Sequence, residues 1–243
     1  VYFGDIPHSS PFVVISYGAS FGKCNFSSNE LITLKGLLST ISFISVREDS
    51  AKILLEEKLK IKSDVVLDPT LLAGKDAFCN FTQKIQRNNY LFVYTLSHNP
   101  DELIRPLAHQ ISKKKHLTII EVSGNRKGFK HVDHEVIYNA GPIEFLSLLA
   151  NANYVVTDSF HGTAFSLLFH RQFVTIPHKT RGGRMKNLLS IVGLENHLIS
   201  SYQTNLIEDK IDWHKIDNLL EIAREHSKGF ILKSITEDND CKA

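Results

Sequence analysis

Within the stretch Thr157-Asp158-Ser159-Phe160-His161-Gly162-Thr163 stand one acid, three hydroxyls, an imidazole and a glycine. Tyr154-Val155-Val156 before it has strand character, and Ala164-Phe165-Ser166-Leu167-Leu168 after it has an apolar helical pattern. The segment therefore reads as strand, turn and helix. Such a turn sets its polar side chains beyond the carboxyl end of a strand and at the positive end of a helix. Open α/β sheets bind ligands there, and the helix N–H groups favour anions. His161 is the leading proton carrier, because imidazole titrates near neutrality, or else a structural residue that caps the turn. Asp158 can orient that ring or fix the turn. Ser159 and Thr163 can donate to an anion or cap the helix. Gly162 either lets a ligand approach the backbone or satisfies a tight turn.

Cations that suit an anionic ligand lie elsewhere in the chain. Arg47 follows Phe43-Ile44-Ser45-Val46 and precedes Glu48-Asp49-Ser50 at a helix start. A positive charge opposes the dipole there, so it answers to an anionic ligand or to an ion pair with Glu48 or Asp49. Lys179-Thr180-Arg181-Gly182-Gly183-Arg184-Met185-Lys186 sets four cations around two glycines. It reads as a clamp for phosphate or carboxylate, or as a solvated loop, with Arg184 nearer the following helix than Arg181. His131 and His134, with Asp133 and Glu135, have a spacing that a metal can use, but these residues crowd one loop or edge strand, and no metal or other cofactor is expected. His98, His109, His116, His170, His178 and His226 read as surface or boundary residues.

Positioning these groups requires an alternating architecture. Strands are expected at Phe12–Ser16, Phe43–Ser45, Val65–Leu67, Tyr90–Thr95, Leu117–Glu121, Glu135–Tyr138, Tyr154–Thr157 and Phe173–Ile176. Helical patterns fall at Glu30–Thr40, Ser50–Leu59, Asp101–Lys113, Pro142–Asn151, Gly162–Phe169 and Arg184–Val192. A last amphipathic helix runs from about Asp212 to Ile231, with Trp213, Ile216, Leu219, Leu220 and Ala223 on one face. Short strands alternating with helices indicate parallel sheets covered on both faces. The helix starts carry signals: Ser28 before Glu30, Asp101-Glu102 after Pro100, and Pro142 after Gly141. A polar interruption gives an expected division into residues 1–75, a linker at 76–89 and residues 90–243 with the terminal helix.

Bulk properties narrow the function classes. The 243 residues are 42% apolar and carry 28 basic against 26 acidic side chains, a net charge of +2. No basic stripe suits nucleic acid. Cys24, Cys79 and Cys241 are scattered and read as free thiols of a reducing compartment. No apolar run spans a membrane, and a cytoplasmic location is expected. The chain begins at Val1 and its one methionine is Met185, so the first domain is expected to be truncated at its N-terminus.

Several motifs occur in series: Tyr17-Gly18-Ala19-Ser20-Phe21-Gly22, Ser45-Val46-Arg47-Glu48-Asp49-Ser50, Val65-Val66-Leu67-Asp68-Pro69-Thr70-Leu71-Leu72, the Thr157–Ser166 stretch, Arg181-Gly182-Gly183-Arg184-Met185-Lys186-Asn187-Leu188-Leu189 and Gly193-Leu194-Glu195. The series resembles the polysaccharide pyruvyl transferase family, from about Tyr2 to Leu232. The resemblance implies a GT-B-like pair of Rossmann-type domains with the site in the cleft between them. It also implies transfer of pyruvate from phosphoenolpyruvate to two sugar hydroxyls as a ketal, with release of phosphate. The acceptor would be a cell-surface polysaccharide or a lipid-linked precursor, which brings the chain to the membrane periphery. That reaction needs an acid for the enol carbon, cations for carboxylate and phosphate, and a base for the attacking hydroxyl. By this resemblance His161 is the acid and Arg47 a phosphoenolpyruvate contact. The chain departs from the family pattern at Ser159, where many members carry arginine, so Arg181 or Arg184 takes the carboxylate or the donor differs. Two alternatives stay open: a GT-B glycosyltransferase using a nucleotide sugar, and a non-catalytic polysaccharide-assembly protein.

Overall fold

The computed structural model describes residues 13–22, 25–97, 100, 102–123, 132–177, 182–200 and 210–240. The chain divides into two compact units, residues 1–72 with 219–243, and residues 73–218.

In the first unit β1 (Ile15–Ala19), β2 (Phe43–Val46) and β3 (Asp64–Val65) form a parallel sheet in the order β1-β2-β3. β1 lies three residues later than the pattern Phe12–Ser16 suggests. The register explains this: Ser16 faces Ile44 but Ala19 faces Val46, so one extra residue bulges out around Gly18. Helix α1 (Ser28–Leu38) starts from Ser27, not Ser28, through a capping box with Glu30: the Ser27 amide donates to Glu30 Oε2 (2.7 Å) and the Glu30 amide to Ser27 Oγ (3.4 Å). Helix α2 (Asp49–Ile53) widens into a π-helical turn, Leu54–Leu59, that ends at Lys60 in the left-handed region (φ 59°). Leu34, Leu38, Ile44, Val46, Ala51, Leu54, Leu55 and Leu59 close the core between these helices and the sheet.

The chain then passes through two short helices, α3 (Pro69–Ala73) and α4 (Asp76–Cys79), into the second unit. The segment expected to be a linker, 76–89, is counted with that unit. Phe78 packs edge-on against Phe165 (5.0 Å), and the Gln83 amide donates to Ser147 Oγ (2.9 Å). Exposed Cys79 is free; Cys24 and Cys241 lie outside the described residues.

The second unit contains, in chain order, β4 (Tyr90–Thr95), α5 (Ile104–Lys115), β5 (Thr118–Ser123), β6 (Glu135–Ile137), α6 (Pro142–Asn151), β7 (Tyr154–Thr157), α7 (Phe160–Leu168), β8 (Gln172–Thr175) and α8 (Gly182–Val192). Its five strands are all parallel, in the order β6-β5-β4-β7-β8. The order reverses between β4 and β7, which makes the gap beyond their carboxyl ends a topological switch point. Leu91 and Val93 face a core built with Leu107, Ile111 and Val156, while Phe92 and Tyr94 pack edge-on against Phe145 of α6. Burial on both faces is why the strand sequences are apolar throughout and not alternating. Helix α5 starts later than Asp101 because Pro106, lacking an N–H, fits only its first turn.

Helix α9 (Trp213–Asp240) belongs to both units, changing at Asn218/Leu219. In the first unit Ser227 Oγ accepts from the Leu67 amide (2.9 Å), Arg224 Nε donates to Leu71 O (2.9 Å), and Phe230 lies 6.3 Å from Tyr17. The terminal helix is therefore not only an appendage of the second unit, as its position in the sequence suggests. Among the described residues no helix is long and apolar enough to cross a membrane.

Candidate functional site

At the switch point of the second unit, Asp158 joins two strand ends. Its Oδ1 accepts from the Leu96 amide (2.7 Å), and its Oδ2 accepts from Thr95 Oγ1 (2.9 Å) and the Ser97 amide (3.0 Å). The carboxylate thus ties the turn after β7 to the segment leaving β4. Burial pushes its pKa up, and the Leu96, Thr95 and Ser97 hydrogen bonds only partly offset that. These hydrogen bonds stabilise the turn; none of them runs to His161.

Ser159 is the N-cap of α7. Its Oγ accepts from the Gly162 amide (3.4 Å), and its carbonyl accepts from the Thr163 amide (3.0 Å). Thr163 is fully buried, with Oγ1 3.1 Å from Ser159 O and 3.0 Å from Thr175 Oγ1. Gly162 lies inside the helix, not in a turn. A Cβ there would stand 2.4 Å from Thr157 Oγ1, so glycine is needed for close packing of α7 on β7. Thr157 Oγ1 in turn donates to Tyr94 O (2.7 Å) and accepts from the Ser159 amide (3.1 Å). Ser159, Gly162 and Thr163 are therefore used within the fold, where they set the position of the helix.

His161 is the residue of this turn that faces outward. It is exposed in the first turn of α7, between buried Phe160 and buried Gly162. The Phe160 ring lies edge-on to the His161 imidazole at 5.5 Å, and the Arg184 guanidinium lies over the same Phe160 ring at 5.8 Å. The imidazole of α7 and the guanidinium of α8 thus both approach one aromatic ring. Arg181 lies outside the described residues.

The remaining cation sits at the strand ends of the first unit. Arg47 pairs with Asp68, not with Glu48 or Asp49. Burial would raise the Asp68 carboxyl, but the Thr70 amide and the Arg47 charge hold it below its usual range. Gly18, at φ +59°, brings β1 against this pair, and a Cβ there would meet Arg47 Cγ at 3.4 Å. Ser45 clamps the bulge: its Oγ accepts from the Gly18 amide (3.0 Å) and donates to Ser16 O (3.0 Å). Glu48 is buried and accepts from Ser20 Oγ (2.8 Å) and the Phe21 amide (3.2 Å). The sequence offers Glu48 only as an ion-pair partner for Arg47, and Asp68 only as part of a motif. For Asp68 the available signal is an acid directly after the apolar run Val65-Val66-Leu67.

A family model described as polysaccharide pyruvyl transferase matches residues 7–180, well over half of the chain. The chain belongs to that family. Comparison with curated proteins gave no match. Among solved structures it is similar to the UDP-GlcNAc 2-epimerase of Methanocaldococcus jannaschii, at 14% identity over 76% of this chain and 62% of that one, TM-score 0.43. A putative UDP-N-acetylglucosamine 2-epimerase from Listeria monocytogenes is 15% identical over 78% of this chain and 55% of that one, TM-score 0.47. The glycotransferase of kitacinnamycin is 14% identical over 84% and 56%, TM-score 0.47. This chain thus spans 55% to 62% of the length of those three structures.

Proposed function

We propose that the protein transfers pyruvate from phosphoenolpyruvate to two hydroxyls of a sugar, in a cell-surface polysaccharide or its lipid-linked precursor. The observation that carries this reading is the exposed His161 at the switch-point helix, with the Arg184 guanidinium over the shared Phe160 ring. His161 delivers a proton to the methylene carbon of the enol, and a sugar oxygen bonds to the adjacent carbon. The second hydroxyl closes the ketal as the bond to phosphate breaks. Of the two hydroxyl protons lost, one ends in the new methyl group and the other on phosphate. Arg184 neutralises the donor's carboxylate or phosphate, and Arg47 is assigned to the donor from the family resemblance. Asp158, Ser159, Gly162 and Thr163 act as positioning residues. A GT-B-like pair of Rossmann-type domains, and a cytoplasmic location where donor and lipid-linked acceptor meet, complete the proposal.

The test is phosphate release from phosphoenolpyruvate in the presence of an acceptor fraction, together with the melting temperature in phosphoenolpyruvate alone. His161→Ala should lower turnover by about 10²- to 10⁴-fold while donor binding survives. Arg184→Ala should abolish the donor-induced rise in melting temperature. Ser159, a cap in place of the arginine common in the family, favours a second reading as a nucleotide-sugar glycosyltransferase. A melting shift with nucleotide sugars and none with phosphoenolpyruvate would decide for that reading.

A further inference from the structure

A second cluster lies at the other end of the same sheet. His109 of α5 meets Asp133 and His134, which lead into β6, and all three line a cavity of about 680 Å³ that also touches Tyr90 and Thr118 at the amino ends of β4 and β5. One ligand atom from each of the three lies within 4.8 Å of the others. His109 Nε2 is 3.4 Å and His134 Nδ1 3.6 Å from Asp133 Oδ1. A four-coordinate zinc with bonds of about 2.0–2.2 Å spaces its ligands about 3.3 Å apart, close to these separations.

The stronger indication is behind the ligands. The His134 side chain is 5% exposed, and its Nε2 lies 2.9 Å from Glu121 Oε2. Glu121 is fully buried and receives Arg105 Nε and Nη2 at 2.9 Å each. Glu121 Oε2 lies within hydrogen-bond distance of His134 Nε2, so that nitrogen is engaged and Nδ1 is the one left to take a ligand. That Nδ1 is buried without a hydrogen-bond partner, and it faces a carboxylate oxygen. A buried ring nitrogen without a hydrogen-bond partner, beside a carboxylate oxygen and a second imidazole nitrogen, is a donor set that suits a cation. A buried carboxylate holding the far nitrogen of a histidine is also the usual support for a metal ligand.

We propose that His109, Asp133 and His134 bind a single zinc ion, with the fourth position open to the cavity. The ion fastens edge strand β6 to helix α5. His161 follows the carboxyl end of β7, whereas this cluster lies at the amino ends of β4 and β5, so the proposal is independent of the transfer chemistry.

The test is titration of the chelator-treated full chain with zinc chloride by calorimetry, with cobalt(II) chloride as the spectroscopic probe. One equivalent of zinc should bind and raise the melting temperature, and cobalt should give the visible absorption of a low-symmetry four- or five-coordinate site. His109→Ala and Asp133→Asn remove side chains that are 43% and 82% exposed, so both variants should fold. Each should weaken zinc by at least about tenfold and erase the cobalt spectrum. Absence of stoichiometric uptake, or uptake unchanged in both variants, would overturn the proposal.

Discussion

Asp68 and Asp158 are both buried acids just beyond the carboxyl end of a parallel strand, yet their carboxyl groups shift in opposite directions. Burial raises both. Asp158 is answered by two amides and a hydroxyl, all neutral, and these do not cancel the loss of solvent. Asp68 is answered by the amide and hydroxyl of Thr70 and by the Arg47 guanidinium, and the balance reverses. The first unit holds its strand ends with charge around a bulge. The second holds them with a network of hydroxyls and close packing on Gly162. One end is tuned by electrostatics, the other by fit.

Arg47→Met breaks the first arrangement most severely. It leaves a buried carboxylate without its counter-charge, and should cost about 3 kcal/mol at neutral pH by urea unfolding, the low end for a broken buried pair because Arg47 is 17% exposed. Asp68 has a lowered folded-state pKa, so its contribution in the wild type is present above about pH 4 and is lost as pH falls through the folded value. The variant can relieve its unpaired charge by protonation, so the gap between the two proteins should narrow in acid. A gap that is constant with pH would mean that Arg47 acts through packing alone.

Gly162→Ala probes fit. Its Cβ would meet the Thr157 side chain on β7, and about 2 kcal/mol of stability should be lost, with no dependence on pH. A neutral outcome would show that α7 can slide on β7.

Asp158→Asn gives the smallest effect, about 1 kcal/mol, because the amide keeps part of the hydrogen bonding. Its value lies in the sign. Asp158 has a raised folded-state pKa, so wild-type stability from this group falls as pH rises from about 4 through the folded value. The asparagine variant should lack that decline. If both proteins keep the same slope between pH 4 and pH 7, the contrast between the two aspartates fails.

Much of this architecture can be read from local sequence. Tyr90–Thr95, Tyr154–Thr157 and Pro142–Asn151 stand in the structure with the boundaries that their patterns suggest. Each has one consistent signal: β-branched and aromatic residues in the strands, Gly-Pro at the helix start. Boundaries moved where a single residue overruled the pattern, as with the bulge at Gly18 and Pro106 in α5. The site was legible as a segment but not as a set of partners. His161 follows from its place after β7. The Asp158 partners are Thr95, Leu96 and Ser97, the Arg47 partner is Asp68, and the His134 neighbour is His109. Each of these pairings depends on which strands adjoin, and periodicity along the chain carries no record of that.

Helix α9 also dictates a timetable. The first unit needs Ser227 to receive the Leu67 amide and Phe230 to cover Tyr17. It therefore cannot be finished when its own strands leave the ribosome. The second unit, continuous from 73 to 218, has all its residues in hand first. Synthesis from the N-terminus thus gives assembly in the reverse order: the earlier-made unit waits, incomplete, for the segment from residue 219 onward to emerge.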